Sequence, residues 1–127
     1  MVRGIGIDVI EIARIEKALE RHPERMKARL YTADERAYCE ARANPLLHYA
    51  ARFAAKEAFS KAIGTGMARG FGWQDAAVLN HEGGEPHVVL SPRGEEFLRA
   101  RGAARVHVSL SHSNTVACAV VVIEDER

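Results

Sequence analysis

The run PLLHYAARFAAKEAFSKAI, Pro45 to Ile63, leaves the chain little choice of conformation. It is rich in alanine, the best helix former because it gives up no side-chain freedom. Proline stands where a helix tolerates it, at the first position. Gly64 follows as the stop. The spacing predicts a helix over Pro45 to Ile63, and the rest of a 127-residue chain must be arranged around it. A chain this long fits one domain, residues 1–127, and buries roughly two-thirds of its unfolded surface.

Ahead of that helix, Val2 to Val9 reads as a strand. Ile5, Ile7 and Val9 alternate with Gly4, Gly6 and Asp8. The glycines clear the face on which Asp8 projects, so something can approach that backbone closely. A helix is expected from about Val9 to Arg21, with Ile12, Ile15 and Leu19 as its buried stripe. Arg14, Lys17 and Arg21 repeat on another face. Pro23 interrupts the pattern and ERMKARL resumes it. Thr32 with Glu35 forms a capping box for a helix over Asp34 to Ala43.

Beyond Gly66 the chain becomes strand-rich. FGWQDAAVLN and PHVVLS flank the turn HEGGE and read as a hairpin. Ser91 and Pro92 open a short helix that Gly102 ends. RVHVSLS places Val106, Val108 and Leu110 on one face and His107, Ser109 and Ser111 on the other. HSNT turns, and VACAVVVI returns as a strand expected to be buried on both faces. Helices first and antiparallel strands later predict an α+β fold.

Composition narrows the function classes. The formal net charge is only +1, so nothing overall calls for nucleic acid. Of the two cysteines, Cys118 lies in an apolar run, and no disulfide framework is expected. MVRGIGIDV does not read as a signal peptide, since its apolar part is short and broken by glycine and aspartate. No run approaches the length of a membrane span. The expectation is a cytoplasmic protein that binds neither membrane nor nucleic acid.

The candidate site residues each carry two readings. Asp8 ends a strand on a cleared face, yet Asp8-Val9-Ile10-Glu11 is also a capping pattern for the next helix. Glu57 stands four residues before Lys61, which is the favoured order for an ordinary surface ion pair. Arg52 and Lys56 fit a solvated charged face. Against this, Glu57, Ser60, Lys61 and Gly64 share one helical stripe. The glycines of Gly64-Thr65-Gly66 would let backbone N–H groups meet an anion. SLSHSNT adds His112 at a strand end, where a solvated turn histidine is the plain alternative. Two acids beside several cations is what a magnesium–polyphosphate site requires.

Three motifs in order carry a resemblance. GIGIDVIEIARIEKAL, RFAAKEAFSKAIGTG and VHVSLSHSNTVACAVVV resemble the opening, central and closing motifs of bacterial holo-acyl-carrier-protein synthases, a 4′-phosphopantetheinyl transferase family. FGWQD matches the stretch between the second and third. The resemblance covers essentially the whole chain. It implies the family's fold, an antiparallel sheet packed with helices, with subunits in a homotrimer and coenzyme A in a cleft between neighbours. It implies transfer of the phosphopantetheine arm of coenzyme A to a serine of apo acyl carrier protein, releasing adenosine 3′,5′-bisphosphate, in support of fatty acid biosynthesis.

Residue by residue, the resemblance assigns Asp8 and Glu57 to magnesium and Lys61 to coenzyme phosphate. Arg52 and Gly64, Thr65 and Gly66 line the coenzyme pocket, and His112 reaches coenzyme phosphate from a neighbouring subunit. Arg14 contacts the carrier protein, with Arg21, Arg25 and Arg29 in the corresponding region around Pro23. Either Glu57 or a metal-held water serves as base. A magnesium-dependent phosphohydrolase and a non-enzymatic carrier-protein module are the rival readings, and neither accounts for three motifs in order.

Overall fold

The computed structural model describes residues 1–126. Its elements run β1 (Val2–Glu11), α1 (Ile12–Ala18), α2 (Pro23–Leu30), α3 (Ala33–Glu40), α4 (Pro45–Ala62), β2 (Ala76–Asn80), β3 (Pro86–Leu90), α5 (Pro92–Ala100), β4 (Arg105–His112) and β5 (Val116–Glu124). One antiparallel sheet has the order β1-β5-β4, and β2-β3 form a separate hairpin. This is the α+β arrangement that the sequence predicts.

α4 lies against the inner face of the three-stranded sheet, where Ala50, Ala54, Ala55, Ala58 and Ala62 are all buried. The glycines of β1 make that packing possible. A Cβ on Gly6 would stand 1.8 Å from the carbonyl oxygen of Ala58, and one on Gly4 would stand 2.1 Å from that of Ala62. What approaches the cleared face is therefore α4 itself, backbone against backbone.

Several boundaries differ from expectation. β1 runs on to Glu11, because Asp8, Val9, Ile10 and Glu11 continue the ladder with Ala119, Cys118, Ala117 and Val116. α1 is correspondingly short and ends before Arg21, although Ile15 and Leu19 are buried as predicted. Pro23 does not merely interrupt a helix; it opens α2. α3 ends at Glu40 rather than Ala43, and its capping box of Thr32 and Glu35 is complete. FGWQD forms a loop, leaving only Ala76–Asn80 as strand. β5 is fully buried on one face only: its residues alternate between buried and half-buried. α4 covers the first face, while the other continues onto Ile5, Ile7 and Val9, which are 63%, 61% and 62% exposed.

A buried ion pair joins α3, α4 and the hairpin. Lys56 and Glu35 have no exposed side-chain surface and meet at 2.6 Å. Glu35 also accepts the backbone N–H of Thr32 at 2.9 Å and that of Val78 at 2.9 Å. Burial pulls the Lys56 ammonium below the usual lysine range, and the charge of Glu35 opposes that pull. The expected solvated face of Arg52 and Lys56 is thus interior, with Arg52 only 1% exposed.

Candidate active site

Asp8, Glu57 and Lys61 come together where α4 crosses β1. The Lys61 ammonium donates to the Ile7 carbonyl at 2.9 Å and to Asp8 Oδ1 at 3.2 Å. Asp8 is well covered while Lys61 is half exposed, so the group opens to solvent on the lysine side. Glu57 sits one turn before Lys61. Its carboxyl is pushed above the usual carboxylate range, first by burial and then by the charge of Asp8, with Lys61 acting the other way. A carboxyl whose ionisation is made costlier by burial and by a second carboxylate beside it would be relieved by a cation.

Two of the plainer alternatives do not match the structure. Asp8 is mid-strand and caps nothing; the N-cap of α1 is Glu11, without a side-chain bond. Lys61 pairs with Asp8, across 53 residues of chain, and holds no simple surface pair with Glu57.

Other parts of the predicted stripe behave differently. The Ser60 hydroxyl is buried and donates to the Glu57 carbonyl at 2.6 Å, so it does not face the carboxylates. Gly64 and Gly66 adopt φ values of 82° and 61°, the left-handed region that glycine enters without strain. Their N–H groups do not form an open cradle. Gly64 donates to the Lys61 carbonyl, and Thr65 and Gly66 both donate to that of Ser60, closing the end of α4. The loop thus offers bare, close-approach surface and no free anion-binding N–H.

The donor set fits a hard cation. Among the described residues, no three or more His, Cys, Asp or Glu side chains are grouped to cage a metal. Magnesium needs no such cage, since one or two carboxylates suffice when phosphate and water complete its shell.

A second, basic site lies on the opposite side of α4. Arg52, His48, Asn80 and His112 line a cavity of about 290 Å³ with Pro86 and Leu110. Arg52 donates to Asn80 Oδ1 at 2.5 Å and its guanidinium carbon lies 4.1 Å from the Tyr38 ring centre. Arg42 rests on the same ring at 4.2 Å. Burial, then Arg52, Arg42 and His112, hold the His48 imidazole below the usual histidine range. Such a cluster of cationic groups would favour an anion over a cation.

The two sites do not merge within one chain. Arg52 and Glu57 point about 140° apart around α4. Asp8 lies on β1 and His112 on β4, the two edges of the sheet. Asp8, Glu57 and Lys61 are absent from the lining of the basic cavity. His48, Tyr38 and Asn80 are the residues that sequence reasoning missed. His48 was legible, standing one turn before Arg52; Tyr38 and Asn80 carry no local signal.

Arg14 on α1, Arg21 in the bend after it, and Arg25 and Arg29 on α2 are all exposed. None has an acidic partner among the described residues, in contrast to Lys27 and Arg36, which pair with Glu40 and Glu24.

Comparison with known proteins identifies the family and the fold. Residues 4–121 match the 4'-phosphopantetheinyl transferase superfamily. A holo-[acyl-carrier-protein] synthase of Moorella thermoacetica is 47% identical over 119 residues, covering 94% of this chain and 91% of the relative. The crystal structure of the holo-[acyl-carrier-protein] synthase from Neisseria meningitidis superposes with a TM-score of 0.92 at 30% identity, covering 98% of this chain and 100% of that one. That of the Bacillus anthracis enzyme in complex with CoA (3',5'-ADP) gives 0.82 at 38% identity, covering 99% of each. The chain belongs to the 4'-phosphopantetheinyl transferase superfamily, among the holo-[acyl-carrier-protein] synthases.

Proposed function

We propose that Asp8, Glu57 and Lys61 form the reacting centre with which this chain moves 4′-phosphopantetheine from coenzyme A to a serine of apo acyl carrier protein. The products are holo acyl carrier protein and adenosine 3′,5′-bisphosphate. The transfer itself is the activity of its family. The observation that carries the residue assignment is the meeting of two carboxylates and an ammonium from β1 and α4.

Phosphoryl transfer asks a protein chiefly for positioning and charge neutralisation. Asp8 and Glu57 would hold magnesium, which when bound neutralises charge on the diphosphate. The Lys61 ammonium adds positive charge where the departing bisphosphate gains negative charge. Its bond to the Ile7 carbonyl and its contact with Asp8 hold it in place beforehand. Gly64, Thr65 and Gly66 let the coenzyme lie close against the end of α4. Arg52 and His112 take a phosphate of the coenzyme in the basic cavity.

The assembly that fits is a homotrimer. The outer sheet face sets Ile5, Ile7 and Val9 beside Val122, Val120 and Cys118 in register. A closed ring of copies would cover this apolar surface. It would also supply what one chain lacks, a basic cavity facing the acidic centre. Arg14, with Arg21, Arg25 and Arg29, presents unpaired positive charge for an acidic carrier protein, which mainly speeds encounter. The place of action is the cytoplasm, where free Cys39 and Cys118 thiols persist.

The test is incubation with coenzyme A, magnesium and apo acyl carrier protein, read by mass. The carrier gains the mass of phosphopantetheine and the bisphosphate is released in equal amount. An unchanged carrier mass beside hydrolysed coenzyme A points instead to a hydrolase.

A further inference from the structure

Arg52 is an unusual anion ligand because its guanidinium is almost wholly enclosed. It is 1% exposed, yet it lines the basic cavity. Its Nε has no hydrogen-bond partner among the described residues. Two contacts hold it. Asn80 Oδ1 accepts from Nη2 at 2.5 Å, and the Tyr38 ring lies 4.1 Å from the guanidinium carbon.

Neither contact is free to move. The Asn80 amide is oriented from both ends, since its Nδ2 donates to the Gly84 carbonyl at 2.7 Å. Asn80 ends the strand whose Val78 N–H is held by Glu35, the carboxylate buried against Lys56. Tyr38 lies on α3 and carries Arg42 on the same ring, with the Arg42 Nε donating to the Tyr38 carbonyl at 3.3 Å. A loose arginine carries rotamer entropy that binding must remove. Here that cost is met during folding, which is how preorganisation raises affinity.

Coenzyme A carries a diphosphate and a separate 3′-phosphate. With the diphosphate at Asp8, Glu57 and Lys61, the phosphate left for the basic cavity is the 3′-phosphate. Resting on that reading of the cavity, we infer that Tyr38 and Asn80 are positioning residues: they fix Arg52 in one pose, and preference for the 3′-phosphorylated coenzyme depends on them. Neither touches the reacting atoms.

The experiment compares coenzyme A with dephospho-coenzyme A, which lacks the 3′-phosphate, in Asn80→Ala, Asn80→Ser, Tyr38→Leu, Tyr38→Phe and Arg52→Met. Asn80→Ala and Tyr38→Leu should raise KM for coenzyme A about tenfold, the factor for 1.4 kcal/mol of lost binding. Their kcat and their KM for dephospho-coenzyme A should hold. Tyr38→Phe keeps the ring and should stay within twofold of wild type. Asn80→Ser replaces Asn80→Ala if the latter melts early. The inference is overturned if KM for coenzyme A stays within twofold in both positions, if both coenzymes lose equally, or if kcat falls as far as KM rises. Arg52→Met separates the two levels. If it leaves KM for coenzyme A unmoved, the coenzyme reading of the cavity fails. If it raises KM while the Tyr38 and Asn80 variants do not, that reading stands and this inference falls.

Discussion

Lys61 Nζ lies 3.2 Å from Asp8 Oδ1, which ties an ammonium on α4 to a carboxylate on β1. Removing either acid should therefore stop catalysis without unfolding the chain. Asp8→Asn and Glu57→Gln should each lower kcat at least about a hundredfold, the scale for losing one charge-stabilising group. Melting temperature should change little, because neither side chain is in the apolar core. Wild-type turnover by either variant at low magnesium would mean that these oxygens hold no metal. Asn keeps the shape of Asp8, so the substitution isolates its charge.

Arg14→Glu should weaken use of the carrier protein and spare coenzyme A. Reversing an exposed charge acts on association rate, and raised salt should shrink the difference by screening it. Stopped-flow association at two ionic strengths checks this. An equal loss of affinity for both substrates would argue against a separate docking face.

Mixing inactive subunits tests the shared-site assembly. Glu57→Gln and His112→Ala should each be nearly inactive alone. Unfolded and refolded together, they should recover part of wild-type activity, since some sites would draw an intact half from each. A sedimentation coefficient of a monomer at working concentration, or a mixture that stays dead while assembling normally, would refute sharing.

His48 makes the basic cavity sensitive to acid. Its imidazole is held below the usual histidine range by burial, then by Arg52, Arg42 and His112. The unfolded chain thus takes up a proton more readily than the folded one. The stability this gives is full above the unfolded value near 6.5 and is lost as pH falls through the lower, folded value. Melting curves between neutral pH and pH 4.5 should show wild type losing stability relative to His48→Gln only at the acid end. Parallel curves would place His48 outside the charged cluster.

Lys56 and Glu35 form the buried counterpart of the Asp8–Lys61 pair. Both are fully buried, so removing one partner strands the other's charge. Lys56→Met should cost about 3–5 kcal/mol in urea unfolding. The double variant with Glu35→Gln should cost less than the sum of the single changes, because no lone charge remains. A single-variant loss under 1 kcal/mol would show that water reaches the pair.

Much of this was legible in the sequence where the cause is local. The α4 boundaries, the Thr32–Glu35 box and the Ser91 cap follow from neighbouring residues, and the structure agrees. What was not legible depends on distant partners. The extension of β1 through Asp8 to Glu11 is set by β5, more than a hundred residues later. The sequence pattern put Arg52 and Lys56 on a charged face, since nothing nearby announces that Asn80 and Glu35 will cover them. Ser60 fell on the right stripe, but a hydroxyl in a helix can satisfy its own backbone and turn away from the site.

The glycines of β1 have a consequence for how the meeting of Asp8 and Glu57 can vary. With main chain resting on main chain, the gap between Asp8 and Glu57 is gauged by atoms that no substitution removes. The same arrangement forbids fine adjustment, because the smallest possible increment, one methyl group at Gly6, already falls inside the Ala58 carbonyl. The spacing of the two carboxylates is therefore either kept whole or lost at a single step.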